Sequence, residues 1–154
     1  MTEKERLESL FIKLYNGVPW LEVNIVTVLN KISSNEAQAR LLENCNTIWE
    51  IVHHLISWRL NVLQRVEGKI IITPDNNYIE KVTDISEEAW LDTLNRLRES
   101  QEGWLHFLSE LDTRDLDKMY PVNNMTYYEH IQGIIQHDAY HLGQIVLLAK
   151  QFKG

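Results

Sequence analysis

Two histidines four residues apart, His137 and His141, are the residues of this 154-residue chain best suited to chemistry. On a helix, positions i and i+4 lie about 40° apart around the axis and about one turn apart along it. Both imidazoles then face one point and can share one metal ion. The zinc-protease pattern His-Glu-x-x-His presents its ligands this way. Here Asp138 stands where that pattern has its general-base glutamate, so a protease reading is weak. Two imidazoles hold a borderline metal poorly; catalytic sites commonly use three protein ligands and leave one position open. The adjacent pair His53–His54 offers the third. On a helix the two point about 100° apart. His54 falls on the arc of Ile51, Leu55 and Trp58, and His53 falls toward Trp49 and Ile56. Periodicity favours His54 and leaves His53 as the alternative. Spacing alone is a weak signal: exposed i, i+4 pairs bind nothing, and a histidine on an apolar face is usually a core residue with one hydrogen bond.

A ligating imidazole needs a partner on its other nitrogen to fix its tautomer. Glu50 is one turn before His54, although Thr47-Ile48-Trp49-Glu50 also reads as a capping box. Gln144 follows His141 by three residues and faces a similar way. Asp138 points about 100° from His137 and suits a bond to another helix. His130 lies two turns before His137, about 10 Å along the axis, too far to share its ion but placed to line a pocket. Tyr140 is either core or pocket wall. His106 reads as exposed or structural, and Cys45 as a small buried residue too far from His54 to join it. Trp20, Trp49, Trp58, Trp90 and Trp104 sit at helical core spacing. Gly133 and Gly143 lie inside a helical stretch, where each costs up to about 1 kcal/mol against alanine; close backbone packing is their expected reason.

The elements that must position these groups are helices. Apolar residues recur at three- and four-residue spacing over four long stretches. The first runs from Glu3 to about Ile32, interrupted by Asn16-Gly17-Val18-Pro19, as one kinked helix or two short ones. Glu36–Glu43 has room for one or two turns. The second long helix starts at the Thr47 capping box and stops near Gly68. Lys69 to Asp84 is the longest non-helical connection, with Ile70-Ile71-Ile72 as a short extended piece and the turn-prone Pro74-Asp75-Asn76-Asn77. Connections of this length are often functional or cross a bundle end. The third helix starts near Ser86. After a polar link holding Pro121, the fourth starts at the capping box Thr126-Tyr127-Tyr128-Glu129 and runs to about Lys150. Four amphipathic helices in residues 1–154 predict a single all-α domain, a four-helix bundle with a long crossover.

Bulk properties exclude several classes. The net charge is -7, and no Lys/Arg run exceeds a pair, which argues against a broad grip on nucleic acid or anionic membrane. No stretch approaches the roughly 20 apolar residues of a membrane span. A single cysteine cannot form an internal disulfide, and the charged start MTEKERLESL lacks the apolar core of a signal peptide. A soluble cytoplasmic protein is expected.

The segment Gly133-Ile134-Ile135-Gln136-His137-Asp138-Ala139-Tyr140-His141-Leu142-Gly143-Gln144-Ile145 resembles the C-terminal signature of the DinB/YfiT-like superfamily. Asn46 through Trp58 and Tyr15-Asn16-Gly17-Val18-Pro19-Trp20 resemble the group's earlier blocks, in the same order. The resemblance implies an up-down-down-up four-helix bundle, often a homodimer. It implies a zinc-, nickel- or iron-type ion on one histidine of the second helix and two of the fourth, here His54, His137 and His141. The family pattern sets its helix-two histidine directly before an aliphatic residue, which again selects His54. Some relatives are transferases or isomerases using bacillithiol, mycothiol or glutathione. The expected function is a metal-dependent enzyme that activates a low-molecular-weight thiol toward a small-molecule substrate. The alternatives are a hydrolase using metal-bound hydroxide and a non-catalytic metal-binding bundle. The resemblance leaves the catalytic residues unassigned.

Overall fold

The computed structural model describes residues 1–153, and among them no β-strand occurs. Six α-helices follow in order: α1 (Glu3–Asn16), α2 (Ile25–Leu29), α3 (Ser34–Gln38), α4 (Ile48–Val66), α5 (Glu87–Glu110) and α6 (Tyr127–Ala149). Both capping boxes read from the sequence form. Thr47 and Glu50 cap α4 reciprocally, and Thr126 and Glu129 do the same for α6. Each box satisfies two backbone N–H groups that the helix cannot.

The region Glu3–Ile32 resolves into two helices. α1 ends at Gly17, whose N–H donates to the carbonyls of Ile12 and Lys13. A Cβ at position 17 would meet Lys13 Cα at 2.9 Å, so this ending requires glycine. A turn closed by Glu22 N–H to Pro19 O then redirects the chain. Trp20 lies in that turn, where helical spacing has no meaning. Its side chain is 96% exposed rather than in the core. Cys45 also departs from expectation: it is exposed, in the loop before α4. Its carbonyl accepts from Arg40 Nη1. At Gly133 and Gly143 an added Cβ would meet no heavy atom within 4 Å, so tight backbone packing is not their reason.

Side-chain pairings set the helix directions. Trp49 pairs with Trp90 and Thr93, and Arg59 with Gln101, so α4 and α5 run parallel. Phe11 stacks on Trp104 at 4.8 Å between ring centroids, and Lys4 Nζ reaches Ser109 O, so α1 and α5 run antiparallel. His54 meets His141 while Trp58, one turn further along α4, meets His137, one turn back on α6, so α4 and α6 run antiparallel. The order is up-down-down-up. Parallel neighbours α4 and α5 need a connection that returns over the full helix length, about 28 Å. The residues between Val66 and Glu87 make that return without a helix of their own.

The core forms two clusters. One surrounds Trp49, Leu55 and Trp90, and the other surrounds Phe11, Trp104 and Leu108. Trp104 joins both halves of its environment, because its indole Nε1 donates to Arg59 O at 3.1 Å. Trp104→Ala should lower the free energy of unfolding by about 3–5 kcal/mol, through lost burial and an unfilled cavity. Trp20→Ala should change it by about 0.5 kcal/mol or less. Urea denaturation of the two variants checks both values.

Candidate metal centre

The centre is built on the α4–α6 seam. His54 sits one third of the way along α4, on the face that also carries Trp58, Val62 and Arg65. His137 and His141 sit on the facing stripe of α6. The antiparallel pairing puts all three at one level. A ring nitrogen of each lies within 4.8 Å of a ring nitrogen of the other two. His54 Nε2 and His137 Nε2 are 3.0 Å apart. Ring centroids are 4.9 Å (His54–His137), 4.7 Å (His54–His141) and 4.5 Å (His137–His141). Imidazoles bound tetrahedrally at 2.0–2.1 Å place their nitrogens about 3.3 Å apart, so small ring rotations reach that geometry. These three residues could hold one ion.

Hydrogen bonds pre-set two of the rings. His54 Nδ1 lies 2.7 Å from the carbonyl oxygen of Asn77, which can only accept, so Nδ1 carries the proton and Nε2 presents a lone pair. His141 Nδ1 donates to Gln144 Oε1 at 2.6 Å, and Gln144 Nε2 in turn donates to Tyr140 Oη at 3.1 Å. Burial and the neighbouring imidazoles oppose protonation. His54, 3% exposed, is pushed down to about 4, chiefly by desolvation and against the pull of the Asn77 carbonyl. His141 is lowered as well, first by desolvation. Both are neutral at pH 7, the form a metal requires.

His137 is different. Its Nδ1 is buried without a partner, and so is Asp138 Oδ1, 4.0 Å away. Asp138 is 2% exposed and its other oxygen lies 3.4 Å from Arg59 Nε on α4, a cross-helix ion pair rather than a hydrogen bond. Arg59 Nη2 continues to Gln101 Oε1 on α5.

Other candidates fall elsewhere. His53 turns toward α5, with Nε2 3.1 Å from Trp49 Nε1 and 3.2 Å from Thr93 Oγ1. Glu50 serves its cap and an ion pair with Arg40, and the His54 nitrogens face Asn77 and His137 instead. His106 is exposed. His130 is buried at the far end of the seam, with Nδ1 2.9 Å from Thr126 O and Nε2 3.2 Å from Asn123 Nδ2. Asn77 was missed in the sequence because it acts through its backbone. The Pro74–Asn77 turn was the only trace of it. Asn77 and Tyr78 have φ of 53° and 59°, a left-handed pair that aims the Asn77 carbonyl inward. The Asn77 side chain also accepts from Trp58 Nε1 at 2.9 Å.

The three imidazoles open into a cavity of about 560 Å³ between α4 and α6, which runs past Trp58 and Gly133 to Arg65 and His130. That is room for a small organic molecule. Glu129, two turns from His137 along α6, is the single carboxylate in its lining among the described residues.

Because His54 is neutral when folded and ordinary at 6.5 when unfolded, the unfolded chain binds more protons between these values. Its contribution to stability is complete above pH 6.5 and is lost as the pH falls toward 4. Thermal melts of metal-free protein should show this loss, and His54→Gln should flatten the slope over that window. Equal slopes would mean that His54 is not held neutral by the fold.

A sequence model of the DinB superfamily matches residues 21–145. No curated protein and no solved structure gives a match. The family match spans most of the chain, including all three histidines, and the chain belongs to the DinB superfamily.

Proposed function

We propose that His54, His137 and His141 hold one divalent metal ion and that the site activates a low-molecular-weight thiol for transfer to an electrophilic small molecule. The observation that carries this reading is three convergent imidazoles, one buried and two half-buried, two of them locked with lone pairs inward, at the wall of a cavity. A divalent ion in such a neutral ligand set acidifies a thiol, so that thiolate is present near pH 7.

The residues have separate tasks in this reading. Asn77 O and Gln144 Oε1 keep the His54 and His141 rings turned inward. Trp58, whose ring centroid is 6.0 Å from that of His137, forms an apolar wall beside the centre. Three protein ligands beside an open cavity suit an exchangeable position, whereas a structural site is closed by a fourth. Hydrolysis is the weaker reading. Asp138 is engaged by Arg59, and Glu129 lies about 12 Å along the helix from His137, so among the described residues no carboxylate is placed to take a proton from water at the centre. Zinc, nickel and iron all fit an imidazole set. A homodimer and a cytoplasmic location belong to the same reading, on the resemblance and the absence of any cysteine pair.

Elemental analysis tests the centre. Wild-type protein should carry close to one equivalent of metal, and His54→Ala or His141→Ala should lose it while keeping helical circular dichroism. A wild type that stays metal-free when supplied with zinc, nickel and iron would sink the proposal. Gln144→Ala should weaken metal binding by about 10–100-fold, the usual cost of losing an outer partner. Conjugation of an electrophile with bacillithiol, mycothiol or glutathione, measured with and without chelator, then separates transfer from hydrolysis.

A further inference from the structure

Arg65 lies on the same face of α4 as His54, three turns further along, and lines the same cavity. Helix side chains lean toward the helix N-terminus, so the Arg65 guanidinium is carried back toward the centre. Its Cζ is 5.5 Å from the Trp58 ring centroid and 5.0 Å from that of Tyr120. The Trp58 ring is in turn 6.0 Å from that of His137. The guanidinium is therefore no further from the His137 ring than those two steps laid end to end.

This cation is held in place but not neutralised. Among the described residues, it makes one hydrogen bond, from Nη2 to Thr73 Oγ1 at 3.2 Å, and its Nε is buried with no partner. Among the described residues, no carboxylate comes within 4.0 Å of it. Glu129, on the opposite wall, uses Oε2 for its cap, accepting from Thr126 N–H at 2.7 Å and from the Thr126 hydroxyl at 2.9 Å. A fixed, unpaired guanidinium facing a cavity in a chain of net charge -7 is a receptor for an anion.

The cavity narrows the anion to one class. It is lined by no lysine and no second arginine. His130, its other basic residue at that end, has both ring nitrogens engaged with Thr126 O and Asn123 Nδ2. One cation matches the single charge and planar fork of a carboxylate better than a phosphate dianion. Between Arg65 and the histidines the lining is apolar, with Trp58, Val62 and Ile134.

We propose that Arg65 is the carboxylate-binding end of this cavity, and that the ligand is a small carboxylate-bearing molecule whose apolar middle lies along Trp58. The part of this inference that sets a thiol at the other end rests on the metal–thiol reading above; the carboxylate end does not. Arg65 is thus a specificity-determining residue, and a role confined to clamping Thr73, Trp58 and Tyr120 would give no preference for acids.

The test uses full-length protein loaded with Co(II), titrated at pH 7 with mercaptohexanoate and with mercaptohexanol, and followed by the thiolate-to-cobalt absorption. The acid should bind about tenfold tighter or better, the worth of one charge-assisted pair. Arg65→Met should abolish that preference and leave the alcohol's affinity within about twofold. Equal affinities in wild type, which need no variant, would overturn the proposal. So would a preference undiminished in Arg65→Met. If neither thiol gives the absorption band, the metal–thiol reading fails and the carboxylate end is decided separately. Hexanoate, and not hexanol, should then shift the NMR signal of the Arg65 Nε–H, and an unmoved signal would overturn the assignment.

Discussion

The register of α4 against α6 is the constraint on which everything else depends. It is marked by the buried pair Arg59–Asp138, whose side chains are 1% and 2% exposed. Desolvating two charges is expensive, and their attraction offsets that only where the geometry is good and other polar atoms are satisfied. Here the Arg59 guanidinium carbon lies 5.8 and 5.9 Å from the Phe11 and Tyr15 rings and Nη2 donates to Gln101. Among the described residues, however, Arg59 Nε and Nη1 and Asp138 Oδ1 have no hydrogen-bond partner, so the pair marks the register rather than adding net stability. Asp138 adjoins His137, and Arg59 lies five residues beyond His54. A slip of α4 by one turn would separate the charges and part the histidines together. An apolar pair at 59 and 138 would pack the seam but would not distinguish one register from the next.

The crossover is the second support. A parallel α4 and α5 force the chain to travel back along the bundle, and the returning segment passes the mouth of the seam. Asn77 then reaches both His54 and Trp58 from outside the helices. Tyr78, next to it, packs edge-on against Trp58 at 5.7 Å and accepts from Asn61 Nδ2 at 2.8 Å. The topology therefore does more than connect helices: it supplies the group that sets the tautomer of a buried imidazole.

Much of this was legible in the amino-acid order, for physical reasons that differ by residue. The starts of α4 and α6 were readable because a capping box is a local pattern, complete within four residues. His54 was preferred to His53 because a 100° turn separates a seam-facing from an α5-facing direction, and periodicity records that angle. Trp20 was misread because periodicity assumes a helix, and Pro19 ends that assumption just before it. Cys45 was misread because a residue type's average burial says little in a loop. Asn77 was beyond reach, since a carbonyl oxygen is common to every residue and only the fold aims it. Arg65 had a usable signal that went unread: positions 54, 58, 62 and 65 share one stripe of α4, and an arginine there is out of keeping with a purely apolar seam.

Gly133 gives the cavity an unusual property. The helix would gain from alanine at this position by up to about 1 kcal/mol, and no neighbouring atom would resist the methyl group. The only thing the methyl would displace is ligand space, because Gly133 is part of the cavity wall. The bare position on α6 therefore adds room to the cavity at a cost in helix propensity. A methyl group at residue 133 would take its volume from the cavity between the histidines and Arg65.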